Sequence, residues 1–271
     1  MAEPIWVVRS GQVPYAYARE AQKALEEARQ AGSVPDVLLL LEHPPVYTKG
    51  RRATADELPM GESWYRMQGI DVAETDRGGR VTYHGPGQLV GYPIVSLKGF
   101  AGRDTPGREA EEVARIDVVA YVRRMERVMI ESLAEHGVEA GCIEGLTGVW
   151  TKGPRPDDPA AFAEGLEPAR KIGSIGVHVN RAVTTHGFAI NVNNDLQPFE
   201  WIVPCGIESC RMTSLTRELG AEQDVQGFAG TVAERFGDVY EREPVETAAA
   251  RLAELVDGVG ALANEAPAPV R

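Results

Sequence analysis

Lysine is scarce in this chain. Of 28 basic residues only Lys23, Lys49, Lys98, Lys152 and Lys171 are lysines. Where arginine is so favoured, each lysine raises the question of why arginine would not serve there. A solvated surface answers it for most of them. Cysteine is scarcer still: Cys142, Cys205 and Cys210 make a poor disulfide framework and lack the paired spacing of a zinc site. A reducing cytoplasm is the expected setting, and no metal site is expected. No stretch approaches the roughly 20 apolar residues that a membrane helix requires. The opening MAEPIWVVRSG has neither a basic start nor a long apolar core, so no secretory signal is expected there. Basic excess is also missing. Forty acidic residues against 28 basic ones give a net charge of −12, which argues against nucleic acid as the main partner. The phosphate-cradling patterns GxGxxG and GxxxxGK[ST] are absent from their proper settings.

What is present fits a soluble globular protein: 271 residues, 43% hydrophobic and 25% charged. IWVVRS reads as a first strand. Residues 14–30 read as a helix ended by Gly32. VLLLLEH, Val37 to His43, is a continuous apolar run bounded by prolines, the mark of a buried strand. PPVYTKGRR is expected as a loop, followed by a polar segment to about Gln68. GIDVAETD and the stretch through LVGYPIVSL supply two or three further strands. Residues 98–114 read as an exposed loop, and 116–137 as the clearest helix, with Met125 and Met129 on its core face. VEAGCI and TGVWTKG are short strands, with 153–168 a proline-rich, acidic surface loop. KIGSIGVHV and AVTTHGFAINV form a hairpin turning at Asn180-Arg181. MTSLTRELG, VQGFAGTVAERFGDVY and VETAAARLAELVDG are expected helices. The whole is expected to be α/β (α+β), with a central mixed sheet flanked by helices. It reads as one domain over 1–260, with 205–257 packing as a small helical subdomain and a disordered tail at 261–271.

The chemistry concentrates in a few segments. Cys142 lies in an apolar run and is expected in the core, and Cys210 is expected to be structural. Cys205 differs, because proline and glycine break regular structure on both sides of it in VPCGI. Such a turn leaves backbone N–H donors beside the sulfur, where they can steady a thiolate or an oxyanion. A thiol of pKa about 8.5 still needs a partner. One reading pairs it with a histidine, His43, His84, His178 or His186, of which His84 and His186 precede glycines. Another pairs it with Lys171, which opens a strand before a run of small residues and could trade a proton with the sulfur. RGGRVTYHGPGQ, IGSIG and HGF share bare backbone beside apolar residues, which suits an extended apolar ligand with one polar end, or else marks turns and bulges at sheet edges.

RGGRVTYHGPGQLVGYPI, KIGSIGV, THGFAINVNNDL and PCGI, in that order, resemble the octanoyltransferases of lipoate biosynthesis, the LipB family. The likeness runs from about LLLEHPPVYTKGR to MTSLTRELG. It departs from the family at Gly173, usually alanine, and in longer loops around 98–114 and 153–168. The resemblance implies the fold of the biotin/lipoate protein ligase catalytic domains. It implies Cys205 as nucleophile and Lys171 as its partner. Acyl-substrate contacts fall on Arg77, Gly78, Gly79, Arg80, Val81, Thr82, Tyr83 and His84, then Ser174, Ile175 and Gly176, then Gly187, Phe188 and Ala189. The implied reaction moves an octanoyl group from the phosphopantetheine arm of acyl carrier protein onto Cys205, then onto a lysine of a lipoyl domain. The acceptors would be 2-oxoacid dehydrogenase E2 subunits and the glycine cleavage H protein. No other cofactor is implied, and a monomer is expected. The alternatives are an ATP-dependent lipoate-protein ligase, a non-catalytic acyl-binding module and a Cys-His hydrolase. An acidic carrier would need a local basic surface, for which Lys49, Arg51, Arg52, Arg77 and Arg80 are the candidates.

Overall fold

The structure, a computed structural model, describes residues 2–98, 117–158, 164–203 and 210–263. The centre is set by β2 (Asp36–Glu42), whose leucines are buried on both faces. Alternation divides them. Leu38 and Leu40 join one core and Val37, Leu39 and Leu41 the other, as side chains of period two must in a strand covered on both sides. Around it lie β1 (Glu3–Gln12), β6 (Gln88–Ile94), β7 (Ala140–Ile143), β8 (Leu146–Thr151), β9 (Lys171–Asn180), β10 (Val183–Asn191) and β11 (Arg242–Glu246). They form one eight-stranded sheet in the order β11-β1-β2-β6-β10-β9-β8-β7. β1 pairs in parallel with β11 and β2, and every other pairing is antiparallel. The expected mixed sheet is what forms.

Helices cover both faces. α1 (Tyr15–Ala31) lays Ala18, Ala21 and Leu25 on one face and stops at Gly32, whose φ of 76° no other residue type adopts as readily. α3 (Val118–Glu135) covers the opposite face with Tyr121, Met125, Val128, Met129 and Leu133, all fully buried. Both methionines are core, as their spacing implies. A second sheet, β4 (Asp71–Glu74), β3 (Val46–Lys49) and β5 (Val81–His84), stands to one side. Its core holds Tyr47, Tyr83 and Phe199 beside Tyr65 of α2 (Glu62–Met67), with α4 (Gln197–Glu200) supplying the phenylalanine.

Several expectations need correction. PPVYTKGRR is not all loop: Val46–Lys49 is the central strand of the small sheet, pairing with both β4 and β5. Only partners far along the chain could reveal that. The β9–β10 turn sits one residue later than expected, with Arg181 and Ala182 at positive φ and Asn180 facing Val183. Two left-handed residues match the right-handed twist of the flanking strands. Val245 and Glu246, expected at the start of a helix, close β11 instead, and the helix shrinks to α7 (Ala249–Ala253). Edge pairing with β1 outweighs local helical spacing there. Of the 205–257 stretch expected as a helical subdomain, the described part shares the main core. α5 (Leu215–Leu219) and α6 (Val225–Tyr240) bury Leu215, Phe228, Val232 and Phe236 with the residues of α3. Residues 99–114, 159–163 and the tail from 264 lie outside the described residues.

Candidate active site

The glycine-rich segments converge on one groove of about 560 Å³. One wall is the loop between β4 and β5, Asp76 to Arg80. The floor is β9 and β10, and the far wall is the start of α3 with the β7–β8 hairpin. The loop lies directly on β9. Gly78 N–H donates to Val177 O at 2.9 Å. A Cβ at Gly176 would stand 2.9 Å from Gly78 O, so only glycine admits this approach. The Gly78 N–H is therefore engaged and is not a free donor for an oxyanion.

Arg77 holds the loop in place. Its buried guanidinium donates to Thr48 O at 2.6 Å, Thr48 Oγ1 at 2.8 Å, Arg80 O at 2.8 Å and Gly78 O at 3.0 Å. A lysine could not reproduce this planar fork. Arg80 pairs with the buried carboxylate of Glu57, which also accepts from Val81 N–H at 3.0 Å. Glu57 O accepts in turn from Val203 N–H at 3.2 Å. Both arginines brace the loop in this structure.

Lys171, the first residue of β9, is buried and lines the groove. Its Nζ lies 5.2 Å from the centroid of the Trp150 ring, a cation–π distance. Its backbone is bridged to the chain entering from Cys210. Lys171 N–H donates to Arg211 O at 2.8 Å, and Thr213 N–H donates to Lys171 O at 2.9 Å. Cys205 lies outside the described residues. The described chain that follows its segment forms an isolated parallel bridge to Lys171 at Met212.

Arg77, Gly78, Gly79, Arg80, Val81, Thr82, His84, Lys171, Ser174, Ile175, Gly176, Gly187, Phe188 and Ala189 all line this groove. Tyr83 does not. Alternation along β5 turns its ring into the small core, 5.6 Å from Tyr47 and 5.4 Å from Phe199. Cys142, expected in the core, is an exposed thiol; its strand is the sheet edge, where an apolar run need not be covered. Cys210 is half-buried against Met212.

Histidines and tyrosines close one end of the groove. His84 stacks on Tyr15 at 6.4 Å and donates from Nδ1 to Gln88 Oε1, 2.6 Å away. Burial, with the charges of His43 and Arg77, holds His84 well below the usual imidazole range. His43 is fully buried behind it, hydrogen-bonded to Tyr92 Oη at 2.7 Å, and burial brings its pKa down to about 4. His186 sits at φ 57° beside Gly187 and contacts Asp76 Oδ1 at 2.9 Å. Burial still outweighs that carboxylate and lowers its pKa. Burial thus disfavours a cationic imidazole at this end of the groove. Sequence reasoning missed Tyr15, Tyr92, Trp150 and Glu126 as groove residues. Nothing local marks them. His186 carried a signal in the glycine that follows it.

Comparison with known proteins gives the same picture. A lipoate protein ligase from Thermoplasma acidophilum, solved as part of an archaeal lipoylation system, superposes with a TM-score of 0.65 at 15% identity, covering 97% of this chain and 91% of that one. A lipoate-protein ligase A bound with ATP superposes at 0.62, also at 15% identity, covering 97% and 93%. The sheet, its helices and the groove thus define a catalytic domain of the lipoate protein ligase fold. Residues 14–237 match the lipoyl protein ligase A/B catalytic domain. An octanoyltransferase of Mycolicibacterium smegmatis is 44% identical over 243 residues, 89% of this chain and 92% of that protein. One of Koribacter versatilis is 40% identical over 239 residues, 88% and 85%. The chain belongs to the lipoyl protein ligase A/B family, in its octanoyltransferase branch, and is an acyltransferase.

Proposed function

We propose that this acyltransferase moves an octanoyl group from octanoyl-acyl carrier protein to the lysine of a lipoyl domain, through a thioester on Cys205. The observation that supports it is the shared groove. A buried lysine stands in the same cavity that Gly78, Gly176 and Gly187 line with bare backbone. Lys171 takes the proton of Cys205, and the thiolate attacks the octanoyl thioester carbonyl. The C–S bond to the carrier breaks, and the carrier thiol leaves with the proton from Lys171. The acceptor amine then attacks the octanoyl-Cys205 carbonyl, and the Cys205 C–S bond breaks. The departing sulfur receives a proton by way of Lys171, and an amide remains. A thioester is already activated towards an amine, so the scheme calls for no nucleotide and no metal. The acyl chain lies along β9 and β10, against Ser174, Gly176, Gly187 and Ala189, with the Arg77–His84 segment over it.

Intact-mass measurement after mixing with octanoyl-acyl carrier protein, without ATP, tests the scheme. An octanoyl adduct is expected on the wild type and none on Cys205→Ala. No adduct on the wild type, or an equal adduct on the alanine variant, sinks it. An adduct that needs octanoate and ATP instead assigns the chain to the ligase chemistry.

A further inference from the structure

Glu126 is a buried carboxylate that the proposed chemistry does not use. It stands on α3, 1% exposed, in the groove wall that also holds Lys171 and Trp150. Its Oε1 accepts the Gly148 N–H at 3.0 Å. Its Oε2 accepts from Arg123 Nη1 at 2.7 Å, with the Cys142 thiol at 3.4 Å. A carboxylate is seldom buried this far without several partners. The partner that matters is Gly148.

Gly148 has a φ of 114°, and a Cβ there would meet Gly173 O at 2.5 Å and Lys171 Cε at 2.8 Å. Its bare Cα is therefore the surface against which the lysine side chain lies. One residue further on, the β8–β9 ladder slips. Val149 faces Gly173, but Trp150 faces Lys171, so two steps of β9 answer one step of β8. Such a bulge turns the side chains at its ends away from regular alternation. The bulge sets both Lys171 and the Trp150 ring beneath its Nζ, 5.2 Å away. β8 has only β7 beyond it at the sheet edge. The Glu126 carboxylate is thus a side-chain tie between α3 and the hairpin at the residue that packs on Lys171.

We propose that Glu126 is a positioning residue for Lys171: by accepting the Gly148 N–H it fixes the β8 side of the β8–β9 bulge that aims the lysine into the groove. This rests on the reading that Lys171 acts on Cys205. Loss of the tie lets the hairpin edge shift, and a displacement of about an ångström at a reacting group costs up to about 100-fold in rate.

The test is the pH profile of Cys205 alkylation by iodoacetamide, read by mass, together with the rate of octanoyl adduct formation. Glu126→Met removes the acceptor in nearly the same volume. It should slow adduct formation about 10- to 100-fold and move the alkylation midpoint up towards the free-thiol value of about 8.5. Glu126→Gln keeps an oxygen for Gly148 N–H and should recover most of that loss. A folded Glu126→Met protein with the wild-type pH profile overturns the proposal, and so does Glu126→Gln behaving like Glu126→Met. Lys171→Ala separates the two layers. If it leaves the profile where it was, the lysine–cysteine reading fails; if it moves the profile while Glu126→Met does not, only the role of Glu126 fails. Should Glu126→Met not fold, hydrogen exchange in the wild type decides: a Gly148 amide protected like its strand neighbours is expected, and a freely exchanging one overturns the proposal.

Discussion

His43 is the residue whose chemistry the fold alters most plainly. Free histidine titrates near 6.5. Fully buried between Val13 O and Tyr92, His43 titrates at about 4. Its folded pKa lies below its unfolded one, so the unfolded chain binds the proton more readily. The stability is therefore whole above about pH 6.5 and is lost as the pH falls towards 4. Between pH 7 and pH 5 the shift corresponds to about 2 kcal/mol, and His84 acts in the same direction. Urea unfolding at both pH values should show that loss, and His43→Gln should flatten it. An unchanged slope in the variant would falsify the assignment. Arg77 makes a related point. The sequence makes it a candidate for acyl-substrate contact and for carrier docking. The hydrogen bonds to Thr48, Gly78 and Arg80 favour a brace. Gly78 and Arg80 lie in the same loop as Arg77, and Thr48 lies on β3, a strand that sequence alone does not reveal.

Elements with a strong local pattern were legible. The core face of α3 and the double burial of β2 follow from apolar spacing alone. β3 and β11 were not, because VYTK and REPVE are short and carry no pattern of their own. Their strand character comes from β4, β5 and β1. α3 also has an explicit start: Asp117 accepts the Ala120 N–H at 2.9 Å. Replacing such an N-cap by alanine costs about 1 kcal/mol. Asp117→Ala should lower the urea midpoint accordingly, and an unshifted midpoint would show that the cap contributes nothing. Since Val118, Val119 and Val122 of that first turn line the groove, the variant should also raise the KM for an octanoyl thioester more than it lowers kcat.

At the scale of the whole molecule, the charge of −12 makes docking of an acidic carrier a local matter. Arg51 and Arg52 are exposed, and their backbone N–H groups hold the groove loop through Arg77 O and Gly79 O at 3.0 Å each. Lys49 and Arg80 are instead committed to Glu62, Glu74 and Glu57. Reversing Arg51 and Arg52 to glutamate should slow transfer from carrier-borne octanoate, more at low salt than at high. An equal loss with a small octanoyl thioester would remove docking as the cause. Among the described residues, no helix is long and apolar enough to cross a membrane.

The order of the glycine-rich motifs by itself carried the resemblance to the family, and that resemblance, rather than the residues alone, singled out Cys205 and Lys171 as the candidate chemistry. Those features are local, because turn backbone and residue type are written residue by residue. Only the tertiary structure decided which way each side chain faces. Tyr83 sits inside a motif yet points into the small core, because strand parity outranks motif membership. Glu126 sits in no motif yet meets Gly148 beside Lys171, because a helix and a hairpin 22 residues apart fold onto one wall. Contacts of that kind depend on packing between distant segments, and no short window of sequence contains them.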